Sequence, residues 1–109
     1  MKLPNGDSAE IPMQKLTGYC LNTNHSKGKH KARVFQSALG ITIQNANVLY
    51  KLIQLAAIEG EVVQQSATEF GQLFKVDWIV TNTNIELRTI WEITSNNPNP
   101  RLVSAFIKD

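Results

Sequence analysis

Residues 46–66 read ANVLYKLIQLAAIEGEVVQQS, and the spacing of their apolar residues changes at Gly60. Before Gly60 the apolar residues recur every three or four positions, which is typical of a helix with one buried face. The predicted members of that face are Val48, Leu49, Leu52, Ile53, Ala56 and Ala57. After Gly60 the period falls to two, which is typical of half-buried strands. The change predicts a helical half followed by a sheet.

The helical half, residues 11–59, is predicted to contain three helices. Their ranges are about 12–21, 29–40 and 42–58. Gly40 is placed to end the second helix in a left-handed conformation, since glycine adopts that conformation without steric cost. Thr42 is placed to cap the third helix with its side-chain oxygen.

The second half, residues 61–108, is predicted to be an antiparallel meander of about four strands. The strand ranges are 61–66, 74–80, 85–94 and 102–107, with a turn at 82–84 and a loop at 96–100. Leu87, Thr89 and Trp91 share the more apolar face of the third strand, so they are expected to face the helices. The fold class is therefore α+β, one domain over residues 1–109, with three N-terminal helices packed on one face of the sheet.

Composition limits the class of protein. The chain has 109 residues, 42% of them hydrophobic, which suits one compact domain. No run reaches the roughly 18 apolar residues of a membrane span, and residues 1–7 lack the apolar core of a signal peptide. A cytoplasmic protein without membrane contact is expected. One cysteine, Cys20, and two histidines are too few for a metal site, and no cofactor is predicted.

Charge is distributed unevenly along the chain. Residues 11–58 contain six lysines or arginines and no acid, which gives a formal charge of +6. The first ten residues carry −1 and residues 59–109 carry −3, for a net charge of +2. A one-sided positive field attracts a polyanion such as RNA, and it equally attracts an acidic protein.

The basic residues are concentrated in residues 25–33, HSKGKHKAR, which lead into the second helix. In the first helical turn, His30 and Lys31 lie beside the apolar face and are the first candidates for catalysis. His25 is a candidate partner for His30 in acid–base chemistry, and a loop histidine packed on the helix is the alternative. The surrounding cations Lys27, Lys29 and Arg33 are candidate substrate-binding residues, as is His25. A solvated basic turn without a site explains the same pattern.

Two strand residues complete the candidate site. Arg88 is expected on the open face of the sheet as an anion clamp, and Thr89 as a hydrogen-bond donor to a phosphate oxygen. The alternative is an ion pair of Arg88 with Glu86 or Glu92, beside a threonine chosen for its strand propensity. Trp78 and Trp91 could stack on bases, but their apolar neighbours favour core positions.

Several short motifs resemble an uncharacterised bacterial family of about this length, and they extend over essentially the whole chain. The most specific is Gly-x-His-Lys-Ala-Arg-Val-Phe at residues 28–35. The supporting motifs lie at residues 1–6, 15–19, 21–22, 70–71, 76–77, 88–91 and 100–103. Family members more often have tyrosine where this chain has Phe70, so a role that needs a tyrosine hydroxyl is not expected here.

The resemblance implies a function. Similar domains look like the C-terminal toxin modules of contact-dependent systems, and stand-alone copies lie beside a small partner gene as in toxin–antitoxin pairs. The helices-then-sheet order is similar to the barnase/colicin/RelE-like ribonucleases, which are metal-independent. By that analogy His30, Lys31, Arg88 and Thr89 would be site residues of a ribonuclease neutralised by a small acidic protein. The alternatives are a non-enzymatic protein-binding module and a nucleic-acid-binding domain that does not cleave.

Overall fold

The computed structural model describes residues 1–108, so Asp109, the last residue of the predicted domain, lies outside the described residues. The three predicted helices are present. Their bounds are Met13–Lys15 for α1, which continues as a π-helical turn at Leu16–Cys20, Lys29–Leu39 for α2 and Ala46–Glu59 for α3. Short 3-10 turns lie at Gly6–Ser8 and Ile43–Asn45.

At the junction between α2 and α3, Gly40 ends α2 as predicted, whereas Thr42 caps the 3-10 turn Ile43–Asn45 that precedes α3 and not α3 itself. Gly40 has φ 67°, and its amide donates to the carbonyl of Gln36 while the Ile41 amide donates to that of Phe35. The Thr42 hydroxyl then accepts from the Gln44 amide, and the Thr42 amide donates to Asn45 Oδ1. These bonds satisfy main-chain groups that two helix ends leave unpaired.

Four antiparallel strands follow in the order β1-β2-β3-β4. Their bounds are Glu61–Ala67 for β1, Gly71–Ile79 for β2, Glu86–Thr94 for β3 and Asn97–Ile107 for β4. The predicted loop at 96–100 is wrong, because Thr94 pairs with Asn97 and β4 begins at once. Pro98 and Pro100 are tolerated there since β4 is an edge strand, where a missing N–H breaks no bond to a neighbouring strand.

The two faces of the sheet differ in burial. On β3, the side chains of Leu87, Thr89 and Trp91 are fully buried and belong with the helices to one continuous core. Asp77 of β2, Arg88 of β3 and Phe106 of β4 are cross-strand partners on the opposite face, here called the outer face.

Helix α3 buries a narrower stripe than predicted. Leu49, Ile53, Ala56 and Ala57 are buried, whereas Val48 is 41% exposed and Leu52 is partly exposed. Val48 and Leu49 are about 100° apart around the helix, and Leu49 is the one that faces the core. No helix within residues 1–108 is long and apolar enough to cross a membrane.

Candidate anion-binding groove

A groove of about 230 Å³ lies where the first turns of α2 meet the end of β4. Its lining residues are His30, Lys31, Val34, Phe106, Ile107 and Lys108. Three of them carry basic groups and three are apolar. The groove therefore offers positive charge beside an apolar surface, which suits a ligand that is anionic at one end and apolar at the other.

Helix α2 places His30 and Lys31 by anchoring the residues next to them. Ala32 and Phe35 are buried in the core. The two residues before Ala32, His30 and Lys31, therefore lie beside the buried face of α2. Lys31 is half-buried, and its Nζ lies 4.1 Å from the centroid of the Phe106 ring. His30 is exposed and makes no side-chain hydrogen bond within the described chain. Its imidazole is therefore accessible from the groove.

The second histidine has a different environment. His25 Nδ1 accepts hydrogen bonds from the amides of Lys27 and Gly28, each at 3.0 Å. Its ring packs edge-on against Tyr19, with 4.9 Å between centroids. His25 therefore shapes the loop that leads into α2, and its Nδ1 is already occupied by these two bonds.

The other predicted substrate-binding residues, Lys27, Lys29 and Arg33, do not line the groove. Lys27 and Arg33 are exposed and Lys29 is partly exposed. Within the described residues, no three His, Cys, Asp or Glu side chains are grouped so that they could hold a metal ion. Lys27, Lys29 and Arg33 add positive charge to the loop and helix that carry His30 and Lys31.

Arg88 lies opposite the groove residue Phe106 on the next strand, and its guanidinium is held in an ion pair. Its Nε and Nη2 each donate to Asp77 at 2.8 Å, to Oδ1 and Oδ2 respectively. These hydrogen bonds hold the pKa of the Asp77 carboxyl below its usual value. Lys108 Nζ lies 3.6 Å from Asp77 Oδ2 and 3.2 Å from Glu86 Oε1. The sequence predicted Glu86 or Glu92 as the ion-pair partner of Arg88, but the partner is Asp77. Asp77 lies directly opposite Arg88 on the next strand, which brings it closer than a same-face residue of β3.

Thr89 lies in the core and not in the groove. Its side chain is fully buried, its Oγ1 donates to the Val76 carbonyl at 3.2 Å, and it accepts from Trp91 Nε1 at 2.7 Å. The structure thus brings His30 and Lys31 together in one groove, places Arg88 on the neighbouring strand opposite Phe106, and separates Thr89 from all three. Thr89 satisfies the indole N–H of a buried tryptophan, which would otherwise be costly.

Sequence reasoning missed the second wall of the groove, Phe106 and Lys108, and the carboxylate Asp77. The available signal was the alternation of β4, which puts Phe106 and Lys108 on one face. That alternation does not identify the opposite residue on β3. The register supplies it, since Arg88 pairs with Phe106.

Comparison with known proteins places the chain in a family. The model of the family described as a domain of unknown function, DUF6883, matches residues 2–109, and the chain belongs to this family. The predicted membership of a family of unknown function is therefore confirmed. No curated protein matches the sequence.

A solved structure shares the fold. It is described as a contact-dependent growth inhibition toxin–immunity protein complex from Klebsiella pneumoniae 342. One of its chains aligns with a TM-score of 0.65 and 13% identity, covering 92% of this chain and 100% of that chain. At this identity the likeness concerns the fold.

Proposed function

We propose that this chain is a toxin-like module that binds RNA in the groove between α2 and β4 and cleaves it without a metal ion. The observation that carries the proposal is the convergence of His30, Lys31 and Lys108 on one open groove. The shared fold of the contact-dependent toxin–immunity complex supports the toxin-like class. RNA as substrate implies that the module acts in a cytoplasm.

The charge around the groove favours a polyanion. The loop and helix that carry His30 and Lys31 belong to a segment of 48 residues, 11–58, that has no acid. The nearby acids Asp77 and Glu86 are matched by Arg88 and Lys108. Lys31 has no carboxylate within ion-pair distance in the described chain and is available to a phosphate. Phosphate contacts by lysine supply most of the affinity in sequence-independent nucleic-acid binding.

The chemistry follows from the free imidazole and the neighbouring cations. The ribose 2′-oxygen forms a bond to the adjacent phosphorus while His30 takes its proton. The bond from phosphorus to the 5′ oxygen breaks, which leaves a 2′,3′-cyclic phosphate and a 5′-hydroxyl protonated from water. Lys31 and Lys108 stabilise the negative charge that develops on the phosphorus oxygens. Arg88 contributes from its position opposite Phe106, and Arg33 contributes only to the surrounding field.

The test is incubation of the purified protein with total RNA in the presence of a chelator, beside the variant His30→Ala. We expect fragments ending in a cyclic phosphate, and a rate that falls at least about 100-fold in the variant, the usual range for loss of a general base. His30 is exposed, so the variant should fold normally. No cleavage by the unaltered protein, or the same rate in both, would reject the ribonuclease.

Binding is tested separately with lysine variants of equal charge change. Lys31→Ala and Lys108→Ala should each reduce the slope of log affinity against log salt by about 0.7 for single-stranded RNA. Lys51→Ala, on α3 and outside the groove, should leave the slope unchanged. Equal effects of all three would place the RNA elsewhere.

The shared fold with a chain of a toxin–immunity protein complex also favours a protein partner. Since that structure is a toxin–immunity complex, we propose that a small acidic protein covers the basic groove of this chain. Such a partner should compete with RNA and should bind Lys31→Ala more weakly than Lys51→Ala.

A further inference from the structure

Phe106 is an aromatic residue that the core does not use. Alternate β4 residues on the helix-facing side contribute to the core, and among the described residues Phe106 is neither a member of that core nor packed against it. Instead it lies on the outer face opposite Arg88 and lines the groove, partly exposed. Packing therefore does not account for an aromatic ring at this position.

The surroundings of the ring are cationic. Lys31 Nζ lies 4.1 Å from the ring centroid, and Lys108 and His30 line the same groove. An apolar flat surface between cations matches the two parts of one nucleotide, a base with a π face and the phosphate attached to it. A base paired within a duplex has no free face, so the match is to an unpaired nucleotide.

We propose that Phe106 is a stacking platform for one unpaired base and thereby selects single-stranded RNA for the groove. This proposal rests on the proposed RNA binding and adds the substrate class. In the free protein the Lys31 ammonium covers the ring. On binding the base takes its place, and Lys31 turns to the phosphate of the same nucleotide.

The relative strengths of the two contacts favour this exchange. A cation over an aromatic ring at an exposed site is worth about two- to fivefold in an equilibrium constant. Stacking of a base on an aromatic side chain is worth about five- to 150-fold, and the displaced ammonium regains a partner in the phosphate. The lysine therefore protects the ring from water without blocking it.

The experiment measures binding of a 2′-O-methyl octauridylate, which the proposed reaction cannot cleave, to the full chain and to Phe106→Leu. Leucine keeps the apolar character and removes the ring. We expect Phe106→Leu to bind about tenfold more weakly, Phe106→Trp to bind at least as tightly as the unaltered protein, and a duplex of equal length to bind equally to all three. Phe70→Leu, which alters an exposed aromatic in the β1–β2 turn, is the matched control and should change nothing.

Two further measurements distinguish the contribution of base stacking to RNA binding from that of charge. The salt slope should be the same for Phe106→Leu as for the unaltered chain, because no phosphate contact is lost. Binding of inorganic tripolyphosphate, which has no base, should also be unchanged. If Phe106→Leu binds octauridylate as tightly as the unaltered protein, or loses tripolyphosphate binding to the same extent, the stacking proposal is wrong.

If neither octauridylate nor tripolyphosphate binds the unaltered protein, the proposed function itself fails. If both bind and no RNA is cleaved, only the ribonuclease step fails.

Discussion

Breaking the ion pair between Asp77 and Arg88 should have two measurable effects, one on protein stability and one on RNA binding. Replacing either partner removes the charge attraction and at least one of two charge-assisted hydrogen bonds of 2.8 Å on the outer face of the sheet. Both replacements should therefore lower the free energy of unfolding. Their effects on RNA binding should be opposite, because Asp77→Asn removes a negative charge beside the groove residue Lys108 and Arg88→Met removes a positive charge from the same cluster.

The size of the expected loss of stability follows from how deeply the Asp77 and Arg88 side chains are buried. Removing one partner of a fully buried ion pair costs about 3–5 kcal/mol. The Asp77 side chain is only 7% exposed, but that of Arg88 is 19% exposed, so water partly solvates a stranded guanidinium. We expect a loss of about 2–3 kcal/mol for Asp77→Asn, which corresponds to a melting temperature lower by roughly 10–20 °C in a domain of this size.

The pH dependence has a defined direction. Asp77 is more acidic in the folded protein than in the unfolded chain, where its pKa is about 3.9. Its contribution to stability is therefore present above about pH 4 and is lost as the pH falls through the lower folded-state pKa. Urea denaturation at pH 7 should separate Asp77→Asn from the unaltered protein, and the gap should shrink under strongly acidic conditions.

The binding assay completes the test. Asp77→Asn makes the net charge near the groove more positive by one unit. One unit charge close to a phosphate and exposed to water changes the binding free energy by about 1 kcal/mol, so this variant should bind RNA roughly fivefold more tightly. Arg88→Met should bind more weakly. Equal stability of Asp77→Asn and the unaltered protein at pH 7 would contradict the energetic reasoning. Weaker RNA binding by Asp77→Asn would contradict the position assigned to the groove.

Three further substitutions test the structural roles of residues near the groove. Thr89→Val leaves the Trp91 indole N–H without an acceptor and should cost about 1–3 kcal/mol in urea denaturation, with RNA affinity unchanged. His25→Ala removes the acceptor of two loop amides and should cost about 1–2 kcal/mol, with RNA cleavage impaired far less than by His30→Ala. Gly40→Ala imposes a side chain at φ 67° and should lower stability by about 1 kcal/mol, measured by thermal melting.

The sequence predicts the fold because its strongest signals are periodic. The change at Gly60 separates helices from strands, and the alternation of Leu87, Thr89 and Trp91 identifies the buried face of β3. The start of β4 was not predictable in this way. Prolines at 98 and 100 favour a loop on local grounds, and only the edge position of β4 makes them compatible with a strand.

The candidate site was predictable on one wall only. A helix start rich in cations is visible in the sequence, whereas the facing wall depends on strand register. A turn centred on Thr83 would place Arg88 opposite Trp78. The turn is instead centred between Asn82 and Thr83, and this half-residue difference shifts the register by one residue and pairs Arg88 with Asp77. A shift of one residue exchanges the faces of a strand, so neither the ion pair nor the position of Phe106 follows from composition.

The two histidines show why residues 25–33 do not act as one unit. They lie five positions apart in a single basic run, yet one directs its Nδ1 to loop amides and the other leaves its ring exposed at the groove. The first role serves the second, since the loop closed by His25 leads directly into the helix whose first turn positions His30. Net charge alone would assign the same role to both. Because the hydrogen bonds distinguish them, loss of His25 should reduce stability, and loss of His30 should reduce catalysis.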